Sequence, residues 1–228
     1  MATTLRWLGH NTWYLETAGH KIVIDPFLND SPTAPLKADD LAVDYVLVSH
    51  GHYDHIADAA PILKRTGATV VSNFEICEWL SKQGATQAEQ MNLGGSISLP
   101  FGRVSYTVAF HSSVLPDGTY GGNPGGFLLA LKEGPRLYFA CDTALFSDLK
   151  LIGSGGLDLA VLPIGDRFTM GPDESVEAIK LLGPKRVLPC HYNTWPPIAQ
   201  DAQSWAAKVK AATEAEPIVL QPGESVSL

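Results

Sequence analysis

The sequence has 228 residues, 45% of them hydrophobic and 18% charged, which suits one folded domain with a substantial core and excludes long disorder and fibrous repeats. A formal charge of −8 with no local basic patch excludes general affinity for duplex nucleic acid or an anionic membrane surface. The start, Met1-Ala2-Thr3-Thr4-Leu5-Arg6, lacks a basic segment leading into an apolar run, and no 18 consecutive residues are apolar, so a cytoplasmic location is expected.

Short β-rich runs alternate with helical stretches, with Gly, Pro and Asp at the joins, an α/β pattern. Thr4–Leu8, Thr12–Thr17 and Lys21–Ile24 read as strands, and Ala18-Gly19-His20 as a hairpin turn that would leave His20 in solvent. Asp44–Ser49 is expected as a buried strand, followed by a helix from Ile56 to about Lys64 despite Pro61. Thr69–Ser72, Val104–Phe110, Gly126–Leu131, Leu137–Ala140, Leu157–Leu162 and Arg186–Pro189 read as further strands. Between the last two lies the helix Asp173–Leu182, with Pro172 at its start, an acidic first turn and Gly183-Pro184 at its end. Ala202–Thr213 sets Ala202, Trp205, Ala206, Val209 and Ala212 on one face of an amphipathic helix, after which Pro217–Leu220 and Ser225–Leu228 return as edge strands. No repeat or change of composition marks a boundary, so residues 1–228 are expected to form a single domain. The Gly-rich segment Gly118–Gly126 reads as a solvated connection or, alternatively, as a flap over substrate.

The chemistry concentrates in Ser49-His50-Gly51-His52-Tyr53-Asp54-His55, which packs three imidazoles and a carboxylate behind a buried strand. Ordinary hydrogen bonds would satisfy such a cluster only at a cost, whereas metal coordination satisfies it directly. In extended chain His50 and His52 project to one side, and a turn at Asp54-His55 brings those two toward a second point, so one loop can serve two ions. His111, Asp142 and His191 each stand just past a later strand, where sites of layered α/β proteins collect. The cysteines Cys77, Cys141 and Cys190 are odd in number and lack a short paired spacing, as expected of reduced thiols. Cys141 and Cys190 precede candidate ligands but read as small buried side chains in preference to thiolate ligands.

His-x-His-x-Asp-His followed by a separate His, Asp and His resembles the metallo-β-lactamase superfamily over nearly the whole chain. Leu8-Gly9-His10, Ile24-Asp25-Pro26-Phe27, Phe110-His111-Ser112-Ser113, Asp142-Thr143-Ala144-Leu145-Phe146, Leu162-Pro163-Ile164-Gly165-Asp166 and His191-Tyr192-Asn193-Thr194 resemble one branch. That branch comprises metal-dependent hydrolases related to L-ascorbate-6-phosphate lactonase. The resemblance implies a four-layer αββα sandwich with its site at one edge of two packed sheets. It implies His50, His52 and His111 on one ion, Asp54, His55 and His191 on a second, and Asp142 bridging them. Cys141 departs from the glycine common before the bridging aspartate.

Two divalent ions so held would share a hydroxide able to cleave an ester, lactone or phosphoester bond of a small molecule, with Asp54 or a nearby histidine relaying the proton. Five imidazoles and two carboxylates suit zinc best, and manganese, iron and nickel are compatible. His10 is expected to contact substrate or the activated water, with a packed histidine as the alternative. Asp166 and Arg167 divide between a site role and a local ion pair or cap, and Asp25 between accepting a ligand N–H and turning the chain before Pro26. The rival functions are a phosphodiesterase or nuclease of the same fold and a non-hydrolytic di-iron redox protein. A small-molecule substrate is expected, with neither a nucleic acid nor a membrane as partner, and a homo-oligomer is left open.

Overall fold

The computed structural model describes residues 3–132 and 134–228, whose strands form two sheets of seven. In the first sheet β1 (Thr4–Trp7), β2 (Trp13–Thr17) and β3 (His20–Ile24) form an antiparallel meander. Parallel to β3 follow β4 (Tyr45–Leu47), β5 (Thr69–Asn73) and β6 (Gln87–Met91). The second sheet repeats this plan. Strands β7 (Ser96–Leu99), β8 (Gly102–Val108), β9 (Gly125–Leu131) and β10 (Arg136–Phe139) are antiparallel, and β11 (Leu157–Pro163), β12 (Pro184–Cys190) and β13 (Glu216–Pro217) continue parallel to β10. The C-terminal β14 (Ser225–Ser227) crosses back to pair with β1.

Parallel neighbours require crossovers, and helices supply them except between β3 and β4, where a long loop with the 3-10 turn Ala38–Asp40 does so. The short α1 (Tyr53–Ile56), α2 (Ala59–Thr66) and α3 (Phe74–Lys82) serve the first sheet, and α4 (Leu149–Gly153), α5 (Pro172–Leu182) and α6 (Ala202–Ala212) the second. Strand alternation then fixes the layers. Ile22, Ile24, Leu47 and Val71 pack with Val104, Phe127, Leu129 and Phe139 of the opposite sheet, while Val23, Val46, Val48 and Val70 point the other way onto Ile62 and Leu63 of α2 and Ile76 and Leu80 of α3. Ile179 of α5 and Trp205 of α6 cover the outside of the second sheet. The result is the expected four-layer αββα sandwich, and its buried parallel strands are apolar on both faces for that reason.

Local differences from the expected elements have local causes. The two-residue loop Ala18-Gly19 has φ of +50° and +81°, the values of a tight hairpin turn matched to strand twist. His20 therefore starts β3 opposite Thr17, half-buried with its ring 5.9 Å from that of Tyr45, which corrects the expectation of a solvent-exposed turn residue. Ala212 is exposed at the end of α6, although Ala202, Trp205, Ala206 and Val209 are buried as expected. Of the segment 217–220, only Pro217 is in a strand. No helix among the described residues is long and apolar enough to cross a membrane.

Phe127 is fully buried between the sheets. Phe127→Ala should cost about 3–5 kcal/mol of stability, read from the urea midpoint at constant slope. A loss below about 1 kcal/mol would show that the intersheet core tolerates the cavity.

Candidate metal centre

Six strands that point the same way within their own sheets end at one edge of the sandwich, and the polar cluster is assembled from the loops that follow them. The loop after β1 brings His10, that after β3 Asp25, and that after β4 the run His50–His55; β8, β10 and β12 lead to His111, Asp142 and His191. Sequence separations of more than a hundred residues close to hydrogen-bonding distance here, as between His10 and Thr194.

All seven expected ligands meet. His52 Nδ1 lies 3.0 Å from His50 Nε2 and 3.2 Å from His111 Nε2. His55 Nε2 and His191 Nε2 lie 3.7 and 3.8 Å from Asp54 Oδ2. Between these two groups sits Asp142, whose Oδ2 is 3.9 Å from His50, 3.4 Å from His55, 3.5 Å from His111 and 3.1 Å from His191, each measured to Nε2. A tetrahedral ion with bonds of about 2.0–2.1 Å sets its ligand nitrogens roughly 3.3 Å apart, close to the spacing of the three imidazoles. His55 Nε2 and Asp142 Oδ1 are buried without a hydrogen-bond partner among the described residues. Donor chemistry, spacing and these two orphaned atoms fit divalent cations.

Residues behind the ligands decide which ring nitrogen faces the cluster. Asp25, fully buried, accepts from His55 Nδ1 at 2.8 Å, from the Ser49 hydroxyl at 2.6 Å, from Asn11 at 2.8 Å and from the Ser49 backbone N–H at 2.7 Å. With Nδ1–H of His55 so engaged, Nε2 keeps its lone pair for the cluster. The Ser49 hydroxyl, having donated to Asp25, accepts from His50 Nδ1 at 2.9 Å, which turns the Nε2 lone pair of His50 inward too. Asp25 is thus the acceptor for a ligand N–H, and it also turns the chain, at φ +48°.

His10 is completely buried, so it does not contact substrate from a solvent-facing position. Its Nε2–H donates to Asp54 Oδ2 at 2.9 Å and its Nδ1 accepts from the Thr194 hydroxyl at 2.7 Å. That polarity requires a neutral ring, and burial together with neighbouring His191 lowers its pKa to about 4. Asp166 is exposed, φ +61°, and its carboxylate accepts from the N–H of Arg167, so the structure gives it a capping contact within its own turn and leaves it outside the cluster. The Arg167 guanidinium lies 5.5 Å from the Phe168 ring. Cys141 and Cys190 are buried with their thiol pKa values raised by desolvation, and neither joins the cluster. The Gly118–Gly126 segment is tied down by Asn73, which donates to the carbonyls of Gly121 and Asn123, and by the Ser113 hydroxyl on Gly121. These bonds favour a fixed connection over a flap. Asn11 is a common polar residue with no motif of its own, and Ser49 and Thr194, though inside quoted stretches, have roles that only the fold reveals.

Electrostatics divide the imidazoles. Burial lowers the pKa of His50, His52 and His111. Burial acts the same way on His55 and His191 but is outweighed by the facing carboxylates, which raise His55 well above its ordinary value and His191 to about 9. Desolvation pushes the Asp54 and Asp142 pKa values up, and the neighbouring imidazoles more than reverse it, holding both ionised. Without ions, then, the facing carboxylates favour the protonated forms of His55 and His191.

Two facing mixed sheets with helices outside and a histidine–aspartate cluster at their common edge define the class: a metal-dependent hydrolase of the metallo-β-lactamase fold. Residues 20–192 match the family model described as Beta-lactamase superfamily domain, and the chain belongs to that family. A UPF0173 metal-dependent hydrolase of Thermus thermophilus is 47% identical over 224 residues, spanning 98% of each chain. Among solved structures, Igni18, a metallo hydrolase from the hyperthermophilic archaeon Ignicoccus hospitalis, is 35% identical with a TM-score of 0.90, covering 100% of this chain and 99% of that one. CmlA, a diiron β-hydroxylase from Streptomyces venezuelae, is similar in fold alone, at 16% identity and a TM-score of 0.75 over 99% of this chain and 54% of its own.

Ligands must shed protons to bind a cation, so the sign of the pH effect follows. The raised pKa values of His55 and His191 mean that affinity for zinc should rise with pH until His191 deprotonates near 9. Zinc added to the metal-free protein near neutral pH should release about two protons, and His191→Gln should remove about one of them. Calorimetry in buffers of different ionisation enthalpy measures this; a heat independent of buffer would refute the protonated pair.

Proposed function

We propose that the chain hydrolyses an ester, lactone or phosphoester bond of a small molecule at two divalent cations, with zinc the best match to the donors. His50, His52 and His111 would hold one cation, Asp54, His55 and His191 the other, and Asp142 both. The observation that supports this most directly is the position of Asp142 Oδ2, within 3.1–3.9 Å of imidazole nitrogens from both groups. Bound there, two divalent ions supply Lewis acidity, bringing the pKa of water toward neutrality and offsetting negative charge on substrate oxygens.

The protein's own part concerns protons and orientation. Asp54 is the more exposed of the two carboxylates, at 24% against 3% for Asp142, so it is the one that can meet a water arriving from solvent. His10 occupies its Oδ2, which leaves Oδ1 to receive the proton of the attacking water and pass it to the leaving oxygen. Thr194 and His10 hold that carboxylate in place, a positioning role that replaces the direct substrate contact expected of His10. No serine or cysteine nucleophile is needed.

A di-iron redox reading draws on the fold of CmlA, but fold alone does not carry function. Five imidazoles around two carboxylates favour the hydrolytic reading over a carboxylate-rich iron site. A nuclease or phosphodiesterase would use the same ions, and the net charge of −8 weighs against a nucleic-acid substrate.

Gently purified protein should contain about two metal equivalents per chain, and Asp142→Ala about one or fewer, because one side chain serves both positions. Elemental analysis decides: metal-free protein with all seven residues intact would sink the assignment, and two equivalents of iron in a coloured protein would favour the redox reading.

Asp54→Asn should lower kcat by about 10²–10⁴-fold while losing much less of its metal. One turnover in isotopically labelled water should place the label directly in the product. Recovery of a covalent adduct on a side chain would show a different mechanism.

A further inference from the structure

Large apolar side chains in solvent are unremarkable when scattered, but a contiguous group marks a binding surface. Here they gather on the loops that carry the metal-centre residues. Tyr53 is 51% exposed between His52 and Asp54, Phe110 is 59% exposed just before His111, and Trp195 is 38% exposed four residues after His191. Val114 and Leu145 stand out from the same set of loops, and Phe168 from the neighbouring loop after β11.

The loops that carry these side chains meet at one edge of the sandwich. The Val114 carbonyl packs against Gly51, between His50 and His52, where an added Cβ would come within 3.0 Å of it. Trp195 lies 5.1 Å from the His10 ring and 5.9 Å from Phe27, which in turn is 6.0 Å from Tyr53. Phe110 shares both backbone and side-chain bonds with the 142–146 loop: its N–H donates to the Thr143 hydroxyl and its carbonyl accepts from Ala144 N–H at 3.1 Å. The loop bearing Phe168 is joined to the same place by the bond from Met170 N–H to the Thr143 carbonyl, 3.0 Å.

Charge on this rim is the second observation. The chain has 16 Lys and Arg, yet segments 25–44, 48–55, 109–124, 140–148, 164–171 and 191–201 contain two, Lys37 and Arg167, from different loops. A phosphate or other polyanionic group held away from the ions is best held by paired Arg or Lys donors, and Lys37 instead donates to the Asn29 carbonyl of its own loop. The side chains available for the non-reacting part of a substrate are aromatic and aliphatic.

We infer that the substrate is a neutral carboxylic ester or lactone carrying an apolar or aromatic group, bound by this rim, and not a sugar phosphate or other polyanion. The inference rests on the hydrolytic reading above and narrows it. In the reaction, oxygen from water bonds to the acyl carbon and the acyl C–O bond breaks. The leaving oxygen takes a proton to become an alcohol, and the acyl part leaves as a carboxylate with release of the second proton. A lactone gives the open hydroxy acid, and no oxidant or reductant takes part.

The test uses the metal-loaded full chain with p-nitrophenyl esters from acetate to octanoate, p-nitrophenyl phosphate and bis-p-nitrophenyl phosphate. Expected is a kcat/KM that climbs with acyl length, up to about fourfold per methylene, and exceeds that of both phosphates. Trp195→Ser and Phe110→Ser, both at exposed positions, should flatten the climb without changing metal content. Quenching of Trp195 fluorescence by phenylbutanoate gives a binding readout independent of turnover, and it should need a higher phenylbutanoate concentration in Phe110→Ser, which keeps the fluorophore. Binding that weakens in this way without hydrolysis of any ester would keep the apolar rim and defeat the hydrolytic reading. Faster turnover of either phosphate, with no phenylbutanoate binding, would keep the hydrolase and overturn the rim. Sedimentation showing a dimer that both variants dissolve, with the chain-length dependence unchanged, would make the rim an interface between copies and likewise overturn the inference.

Discussion

Asp25 has no surface in water, and a buried carboxylate is tolerated only when donors surround it, so the local chain is arranged to deliver them. Asn11 comes from the turn after β1, Ser49 from the end of β4 and His55 from α1, so one carboxylate ties together three segments of the first sheet's edge. The same bonds select the inward-facing nitrogen of His55 directly and of His50 through the Ser49 hydroxyl. Burial and ligand orientation are therefore one constraint. Removing the carboxylate would both strand buried donors and free two ligand rings to flip.

Backbone conformation at the edge obeys the same economy of position. His10, Asp25, Cys141, Asp166, Arg167, His191 and Asn193 all have φ between +46° and +61°, and all lie in loops at this end of the sandwich. Left-handed conformations cost non-glycine residues roughly 1–3 kcal/mol and persist where surrounding contacts overdetermine them. The departure at Cys141 has its physical meaning here: at φ +53° a glycine would be unstrained, whereas the cysteine adds a buried side chain at a conformational cost. The turn it makes delivers Asp142 between the two groups of imidazoles.

What could be read from sequence follows from how far each signal extends along the chain. Strands buried on both faces, such as 44–49 and 157–162, are short apolar runs and were legible as such, as was the dense run His50–His55. Strand β6, with four of its five residues exposed, has no apolar face and offered no periodicity, and β7 and α3 were passed over as well. The bond between His10 and Thr194 spans 184 positions, and nothing local to either residue announces it. The aromatic rim was equally hidden: Phe110 and Trp195 read as ordinary apolar residues until the fold showed that they do not enter the core.

The two sheets contribute unequally but complementarily to the centre. His50, His52, Asp54 and His55 come from one loop of the first sheet, and His111, Asp142 and His191 from three loops of the second. Neither sheet alone offers both complete groups: His111 finishes the first and His191 the second, while Asp142 touches each. Cations held there would cross-link the sandwich at its edge, so their binding free energy would also be free energy of sheet association. The same geometry explains why the edge tolerates so much buried polarity. Imidazoles and carboxylates face one another across the sheets, His55 to Asp142 and His191 to Asp54, which raises the pKa of both imidazoles and lowers those of both carboxylates, and cations bound there would displace protons. Assembly of the fold and assembly of the site are in this sense a single event, because the residues that close the sandwich at this end are the ones that would hold the ions.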